Sequence, residues 1–375
     1  MTQNRRSYLA TISAAALTLA LTSGAALAEK KYDTGATDTE IKIGNIMPYS
    51  GPASAYGVIG KTIDAYFKKI NAEGGINGRK INFISYDDGY SPPKAVEQTR
   101  KLVEGDEVLL MFNPLGTPGN TAIQKYLNGK KVPQLFVATG ATKWNDPKGN
   151  PWTMGWQPNY QTEGQIYAKY ILKEKPNAKI AVLYQNDDYG KDYLKGFKDG
   201  LGAKASSMIV AESSFEVTEP TVDSHIVKLK SSGADTFFNI ATPKFAAQAI
   251  KKAAEIEWKP LHFLNNVSAS IGSVLKPAGF QNAQGIISAQ YLKDTSDPAW
   301  KDDAGMKRFD EFLAKHFPDA NRIDASVMFG YSVSQTMVQV LKQAGDNLTR
   351  ENVMKEAANL KNLELDGLLP GIKIN

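Results

Sequence analysis

Hydroxyl-bearing residues and glycines follow three of the predicted strands in the first half of the chain. They lie in the segments 50–57, 116–118 and 138–140, which contain Tyr56, Gly116, Thr117, Ala138, Thr139 and Gly140. At Thr117–Pro118 a helix is expected to begin, and free backbone N–H groups at a helix start favour an anion. One such loop alone is typical of an ordinary turn or cap. Three loops that converge on one crevice predict a binding site for a carboxylate.

The second half of the chain places aromatic and polar side chains at corresponding positions after its strands. Tyrosine in a loop is more typical of a wet pocket than of a dry core, because its ring is apolar while its hydroxyl needs a partner. The candidate ligand-binding residues of this half are Tyr160, Tyr189, Asn239, Thr242, Asn265 and Asn266.

Side chains that could support catalysis or hold a metal ion are scarce. The chain has no cysteine, its three histidines stand in no motif, and residues 44–47 lack the glycine spacing of a nucleotide-binding loop. The adjacent acids Asp87–Asp88 and Asp187–Asp188 would point apart in a strand or loop, and such pairs are typical of turns. We therefore predict a protein that is not an enzyme, with no catalytic residue, no metal site and no cofactor.

Alternating strand and helix patterns must position these loops. Apolar residues alternate over 41–47 as in a strand, recur at helical spacing from Ile63 to Ile70, and alternate again over 80–86. Such a strand–helix–strand unit is parallel and right-handed. Similar units continue to residue 138, are interrupted by the aperiodic segment 145–161, and then resume. Ile166, Tyr170 and Ile171 are expected to face inward on the first helix after the interruption. Repeated units on both sides of an interruption predict two α/β lobes.

The first 28 residues have the pattern of an export signal. Arg5 and Arg6 precede an apolar run over 9–21, and Ala26–Leu27–Ala28 is typical of a cleavage site before Glu29. The general secretory and twin-arginine routes both stay open, while the short run argues against a membrane anchor. Without cysteine, the exported protein cannot be a lipoprotein. Loss of two arginines lowers the net charge from +5 to +3, too little to indicate nucleic acid binding.

Several runs of the mature chain form a recognisable set: Ile43–Gly44, Ser50–Gly51–Pro52, Tyr56–Gly57, the sequence NAEGGING at 71–78, Tyr86–Asp87–Asp88, Asp187–Asp188–Tyr189–Gly190 and Gly285–Ile286. This set resembles the Leu/Ile/Val-binding protein family, the periplasmic substrate-binding components of ABC importers. The resemblance implies an α/β fold of two doubly wound, Rossmann-like lobes joined by a three-strand hinge. By that pattern, lobe 1 comprises residues 29–159 and 292–362, and lobe 2 comprises 160–291 and 363–375. It also implies a periplasmic monomer that closes on its ligand and delivers it to an ABC permease.

The resemblance further implies roles for the candidate residues. Thr117 would hold a ligand carboxylate through its hydroxyl, with Ala138 and Gly140 giving backbone groups, while Tyr56 would complete this side. Tyr160, Tyr189 and Thr242 would face the ligand from lobe 2. Amino acid binders of the family pair the ligand ammonium with an acidic residue in a lobe 2 loop, which here reads Asn265–Asn266–Val267–Ser268. A buried ammonium without a counter-charge is costly. We therefore predict a small aromatic or hydrophobic carboxylate as the ligand.

Two alternatives stay open. A branched-chain amino acid could bind if Glu163, Asp187 or Asp188 reached its ammonium group. A ligand-sensing domain that serves a membrane receptor would share the same fold.

Overall fold

The computed structural model describes residues 30–375, so the predicted export signal lies outside the described residues. The strands are β1 (Lys31–Tyr32), β2 (Glu40–Met47), β3 (Lys80–Asp87), β4 (Leu110–Phe112), β5 (Gln134–Val137), β6 (Thr153–Gly155), β7 (Ile180–Gln185), β8 (Ile209–Phe215), β9 (Thr236–Ile240), β10 (Leu261–Leu264) and β11 (Asn347–Leu348). The helices are α1 (Gly57–Ala72), α2 (Pro92–Arg100), α3 (Thr117–Lys130), α4 (Tyr160–Glu174), α5 (Asp188–Leu201), α6 (Ala205–Met208), α7 (Asp223–Ser231), α8 (Pro243–Glu255), α9 (Lys276–Ala278), α10 (Ala304–His316), α11 (Ala325–Ala344) and α12 (Arg350–Ala358). Within this part of the chain, none of the helices has the length and apolar character needed to cross a membrane.

Two parallel sheets form the cores of two lobes, as predicted. The first sheet has the strand order β3-β2-β4-β5-β6, and the second has the order β10-β9-β7-β8. In each sheet the chain winds first to one side and then to the other, which creates a switch point between β2 and β4 and another between β7 and β9. Loops that follow these strands diverge and leave a crevice. The crevice of lobe 1, with residues 48–57 and 113–117, faces the crevice of lobe 2, with residues 186–189 and 241–242.

Apolar side chains cover both faces of each sheet. On one face of the first sheet, Phe67 of α1 packs near Phe112 of β4, with 5.7 Å between their ring centroids. The opposite face is covered by α2 and α3 through residues such as Ile123 and Leu127. A strand that is buried on both faces needs a continuous apolar sequence. This explains why residues 108–112 show no alternation.

Helices α4 and α5 of lobe 2 pack at short range through glycines. A Cβ atom at Gly196 would lie 2.2 Å from the Cα atom of Gln161, and one at Gly164 would lie 2.7 Å from the backbone nitrogen of Phe197. The face of α4 that carries these small residues packs against α5. The prediction that Ile166 and Tyr170 face inward is therefore wrong. Ile166 is 51% exposed and Tyr170 is 43% exposed, whereas Ile171 is buried as expected.

The C-terminal segment belongs with lobe 1. Leu368 forms a β-bridge with Leu292, where the chain returns from lobe 2, and Leu363 forms a bridge with Ile374. Asp366 accepts hydrogen bonds from the Tyr331 hydroxyl at 2.8 Å and the Gln335 amide at 2.9 Å, both on α11. The assignment of residues 363–375 to lobe 2 is therefore wrong. The segment around Leu368, which corresponds to the third strand of the predicted hinge, lies beside Leu292 and then packs on lobe 1.

Candidate ligand-binding site

A cavity of about 100 Å³ lies between the lobes, at the carboxyl ends of the strands that flank both switch points. This is several times the space of one water molecule. Most of the predicted ligand-binding residues line it, namely Tyr56, Gly116, Thr117, Ala138, Tyr160, Tyr189, Thr242 and Asn266. Contact between these residues and a ligand stays a prediction. Thr139, Gly140, Asn239 and Asn265 lie behind the cavity wall.

Thr117 is held in place by a hydroxyl partner from the neighbouring strand end. Its Oγ1 lies 2.6 Å from Oγ1 of Thr139, which also accepts a hydrogen bond from the Trp144 indole at 3.3 Å. Gly116 occupies the N-cap position of α3, with φ 95°, and Thr117 is the first helical residue rather than the cap. The Thr117 hydroxyl therefore borders the cavity at the positive end of a helix, where an anion is favoured.

Gly140 lets an aromatic ring from lobe 2 approach the first sheet. A Cβ atom at this position would lie 2.5 Å from the carbonyl oxygen of Pro158 and 2.7 Å from Cε1 of Tyr160. The Gly140 carbonyl accepts a hydrogen bond from the backbone N–H of Tyr160 at 2.8 Å. Gly140 thus positions Tyr160 and does not line the cavity itself.

Three tyrosines form an aromatic wall on the lobe 2 side. The rings of Tyr160 and Tyr189 meet edge to face with 5.5 Å between centroids, and Tyr193 stacks on Tyr160 at 4.3 Å. Asn265 lies behind this wall, with its side-chain amide 2.8 Å from the Tyr189 hydroxyl. Asn239 is also buried, and its carbonyl accepts from the backbone N–H of Asn265 at 3.2 Å. Both asparagines therefore support the wall.

A chain of polar groups continues from the cavity into lobe 2. The Thr242 hydroxyl donates to Oε1 of Gln185 at 3.0 Å, and Nε2 of Gln185 donates to Asp187 at 2.5 Å. Asp187 caps α5 by accepting from the backbone N–H groups of Tyr189 and Gly190. Burial raises the pKa of Asp187. Hydrogen bonds thus connect this end of the cavity to the N-terminus of α5.

The two lobes touch each other around the cavity. The Tyr56 hydroxyl donates to the carbonyl of Val267 at 2.9 Å. At the outer edge, Ser270 donates to the Asp324 carboxylate at 3.0 Å, and the backbone N–H of Gly272 donates to the carbonyl of Ile323 at 3.0 Å. The lobes are therefore in a closed arrangement, with the cavity enclosed between them.

Two doubly wound lobes that close on a cavity of this kind have clear counterparts. The model of a protein family described as periplasmic binding protein matches residues 40–374. The chain belongs to this family. Leu/Ile/Val-binding protein homolog 1 from Brucella suis biovar 1 (strain 1330) is 26% identical over 360 residues, which cover 91% of this chain and 89% of the relative. Such relatives are binding proteins, which confirms the prediction that the chain is not an enzyme.

Solved structures show the same fold. A fatty acid ABC transporter substrate-binding protein from Thermomonospora curvata superposes with a TM-score of 0.77 at 24% identity, covering 90% of this chain and 85% of that protein. The branched-chain amino acid transporter substrate binding protein LivJ from Streptococcus pneumoniae, in complex with isoleucine, superposes with a TM-score of 0.73 at 21% identity, covering 88% and 91%. At these identities the likeness shows the fold of a type I periplasmic binding protein.

The three carboxylates that could pair with a ligand ammonium do not line the cavity of this periplasmic binding protein. Glu163 is buried, and it accepts from the hydroxyls of Tyr167 and Tyr193 and from the backbone N–H of Asn266. Burial raises the pKa of Glu163 to about 7. Asp187 caps α5, and Asp188 forms an ion pair with Lys143 at 2.7 Å.

Within residues 30–375 two charged side chains border the cavity, Lys293 and Asp294. Lys293 forms an ion pair with Asp303 at 2.8 Å, and the exposed Asp294 accepts a hydrogen bond from the Ser296 hydroxyl. The rest of the described lining consists of hydroxyls, amides, aromatic rings and aliphatic groups. A ligand ammonium would therefore find no carboxylate among the described lining residues other than the exposed Asp294.

Several lining residues were missed by reasoning from the sequence. They include Tyr90, Gln157, Ser270 and Gln290. Gln157 and Gln290 lie in the crossings between the lobes, which show no periodic pattern. Tyr90 comes directly after β3 and the turn Asp87–Gly89, and this position after a strand was a signal that could have identified it.

Proposed function

We propose that the protein is the periplasmic substrate-binding component of an ABC importer and that it captures a small aromatic or hydrophobic carboxylate without an ammonium group. In this proposal the protein is exported, its leader is cleaved near Ala28–Glu29, and it acts as a monomer that delivers the ligand to an inner-membrane permease. The observation that carries the proposal is the described cavity lining, which consists mainly of hydroxyl groups, amides, rings and aliphatic groups, with the exposed Asp294 as its single carboxylate.

The balance of charges supports an anion over a zwitterion. A carboxylate near Thr117 gains from hydroxyl donors and from the positive end of α3. An ammonium in the same enclosed space would lose its hydration without a counter-charge, which is costly. Aromatic rings at Tyr160 and Tyr189 supply a flat apolar wall for the body of the ligand. Micromolar affinity, about −8 kcal/mol, is within reach of one anion contact and one buried ring.

A thermal-shift panel on residues 29–375 tests this proposal. The panel compares benzoate, 4-hydroxybenzoate, cinnamate and octanoate with leucine, isoleucine and valine. At a thousandfold excess over Kd, a bound ligand should stabilise the protein by about 4 kcal/mol. We expect shifts with the carboxylates and none with the amino acids. A shift with no compound of the panel would contradict the proposal.

Thr117→Val tests the anion contact directly. Hydrogen bonds to charged groups contribute about 1.5–3 kcal/mol, so the variant should bind the best carboxylate of the panel about tenfold or more weakly. Thr218→Val, on an exposed loop of lobe 2, is the matched control and should bind as the wild type does. Equal affinities for the wild type and Thr117→Val would remove Thr117 from the site.

A branched-chain amino acid is the second candidate ligand, because Leu/Ile/Val-binding protein homologues match the chain over most of its length. Leucine binding would keep the transport role. It would require a rearrangement that brings a carboxylate such as Asp187 to the ligand ammonium. A calorimetric titration with leucine that gives no heat would remove this candidate.

A further inference from the structure

Tyr90 has a backbone conformation that bulky residues rarely adopt. Its φ is 60°, in the left-handed region. The turn around it is held by acids: the backbone N–H of Tyr90 donates to the carboxylate of Asp88 at 2.9 Å, and that of Gly89 donates to Asp87 at 3.0 Å. Residues kept in such conformations by their surroundings cluster at functional sites.

The ring of Tyr90 lies against the start of α3, inside the cavity. A Cβ atom at Gly116 would be 2.5 Å from Cε2 of Tyr90, so glycine at position 116 makes room for the ring. Gly116 is also the N-cap of α3 and precedes Thr117. Tyr90 thus stands beside the group that is proposed to bind the ligand carboxylate.

The hydroxyl of Tyr90 donates to no acceptor within residues 30–375. Its oxygen lies 3.5 Å from Nε2 of Gln185, which belongs to lobe 2 and can act only as the donor in this contact. Two of the nearby hydroxyls already have partners, since Tyr56 donates to Val267 and Tyr189 lies 2.8 Å from Asn265. The O–H of Tyr90 can therefore donate to a ligand while its oxygen accepts from the opposite lobe.

Five tyrosines line the cavity, among them Tyr291. The other four are Tyr56, Tyr90, Tyr160 and Tyr189. Burial raises the pKa of Tyr189, and the neighbouring Tyr56, Tyr160 and Tyr90 raise it further. All four stay neutral O–H groups at physiological pH, so the Tyr90 hydroxyl keeps its proton.

We propose that Tyr90 is a specificity-determining residue, whose O–H donates to the ligand carboxylate while its oxygen accepts from Gln185. The ligand would then be joined to both lobes through one phenol. The inference rests on the proposed function and deepens it, because it names the group that distinguishes a carboxylate from its uncharged analogues.

The test is titration calorimetry of Tyr90→Phe with benzoate, 4-hydroxybenzoate, cinnamate and leucine. The variant keeps the ring and loses only the hydroxyl. We expect about a tenfold rise in Kd for the carboxylate that binds best, equivalent to about 1.4 kcal/mol, with an unchanged unfolding temperature of the ligand-free protein. Tyr170→Phe, on the exposed face of α4, is the matched control and should show no change.

A second readout separates direct contact from an effect on shape. The amide of the best carboxylate has the same outline and no charge, so the preference of the wild type for the acid over its amide should fall about tenfold in Tyr90→Phe. An equal loss for acid and amide, or no loss for either, would overturn the assignment of Tyr90. If leucine binds and the acids do not, the proposed ligand class fails, and Tyr90 is judged by whether Tyr90→Phe weakens binding of the leucine carboxylate.

Discussion

Asp324 at the start of α11 joins the lobes at the outer edge of the cavity, and removing its lobe 2 partners should favour the open form. The carboxylate accepts from the hydroxyls of Ser270 at 3.0 Å and Ser273 at 3.2 Å, and it is buried. It also caps α11 by accepting from the backbone N–H of Ser326, so the serines and not the acid should be changed. Because water would hydrate these groups in the open form, each hydrogen bond should favour the closed form by only about 1 kcal/mol.

Ser273 does not line the cavity, so Ser273→Ala removes a contact between the lobes without touching the ligand space. A loss of about 1 kcal/mol should weaken apparent ligand affinity about fivefold, and the double variant Ser270→Ala/Ser273→Ala should weaken it about thirtyfold. Small-angle scattering should show a larger radius of gyration for the ligand-free double variant. Ser231→Ala, whose hydroxyl bonds only within α7, is the control. An unchanged radius together with unchanged affinity would refute the reasoning.

Two other predictions follow from buried groups. The pKa of Glu163 is raised by burial to about 7, above its unfolded value, so the native state binds more protons and the free energy of unfolding should fall as pH rises from about 5 to 7. Glu163→Gln should flatten this slope in thermal melts between pH 5 and 8, and parallel curves for the two proteins would contradict it. Gly140→Ala should displace Tyr160, because the new Cβ would lie 2.7 Å from its ring, and should weaken binding about tenfold or more, equivalent to at least about 1.4 kcal/mol. Gly129→Ala, where an added Cβ meets nothing within 4 Å, is the control, and equal affinity for both variants would disprove the effect.

Strands and helices with strong periodicity were predictable from the sequence. The strand patterns over 41–47 and 80–86 agree to within one residue at each end with β2 (Glu40–Met47) and β3 (Lys80–Asp87). The inward face of α4 was not predictable from apolar residues, because the close contact with α5 selects glycines such as Gly164 over Ile166. The C-terminal segment was also misplaced, since its position depends on Asp366 meeting Tyr331, a contact between residues far apart in the chain.

The candidate site was partly predictable for a topological reason. Loops that follow the strands at a switch point line one crevice, and Thr117 and Thr242 could be recognised there because a threonine before a proline is typical of a helix start. Thr139 and Asn265 also follow strands, as the lining residues do, but they lie behind the cavity wall. The sequence pattern does not distinguish these two orientations of a side chain. The ring of Tyr90 reaches the cavity because the backbone of this residue is in the left-handed conformation. A pattern of apolar residues gives no sign of that conformation.

The glycine contact between α4 and α5 fixes the shape of the aromatic wall on the lobe 2 side. Tyr160 begins α4 and Tyr189 lies in the first turn of α5, so both rings move with one rigid pair of helices. Because the backbones of α4 and α5 are in direct contact at the glycines, a change of side-chain rotamers cannot alter the distance between the two helices. A ligand with a substituent that does not fit against this wall would have to separate the helices themselves. Affinity across a series of substituted acids should therefore show a sharp size limit and not a gradual decline.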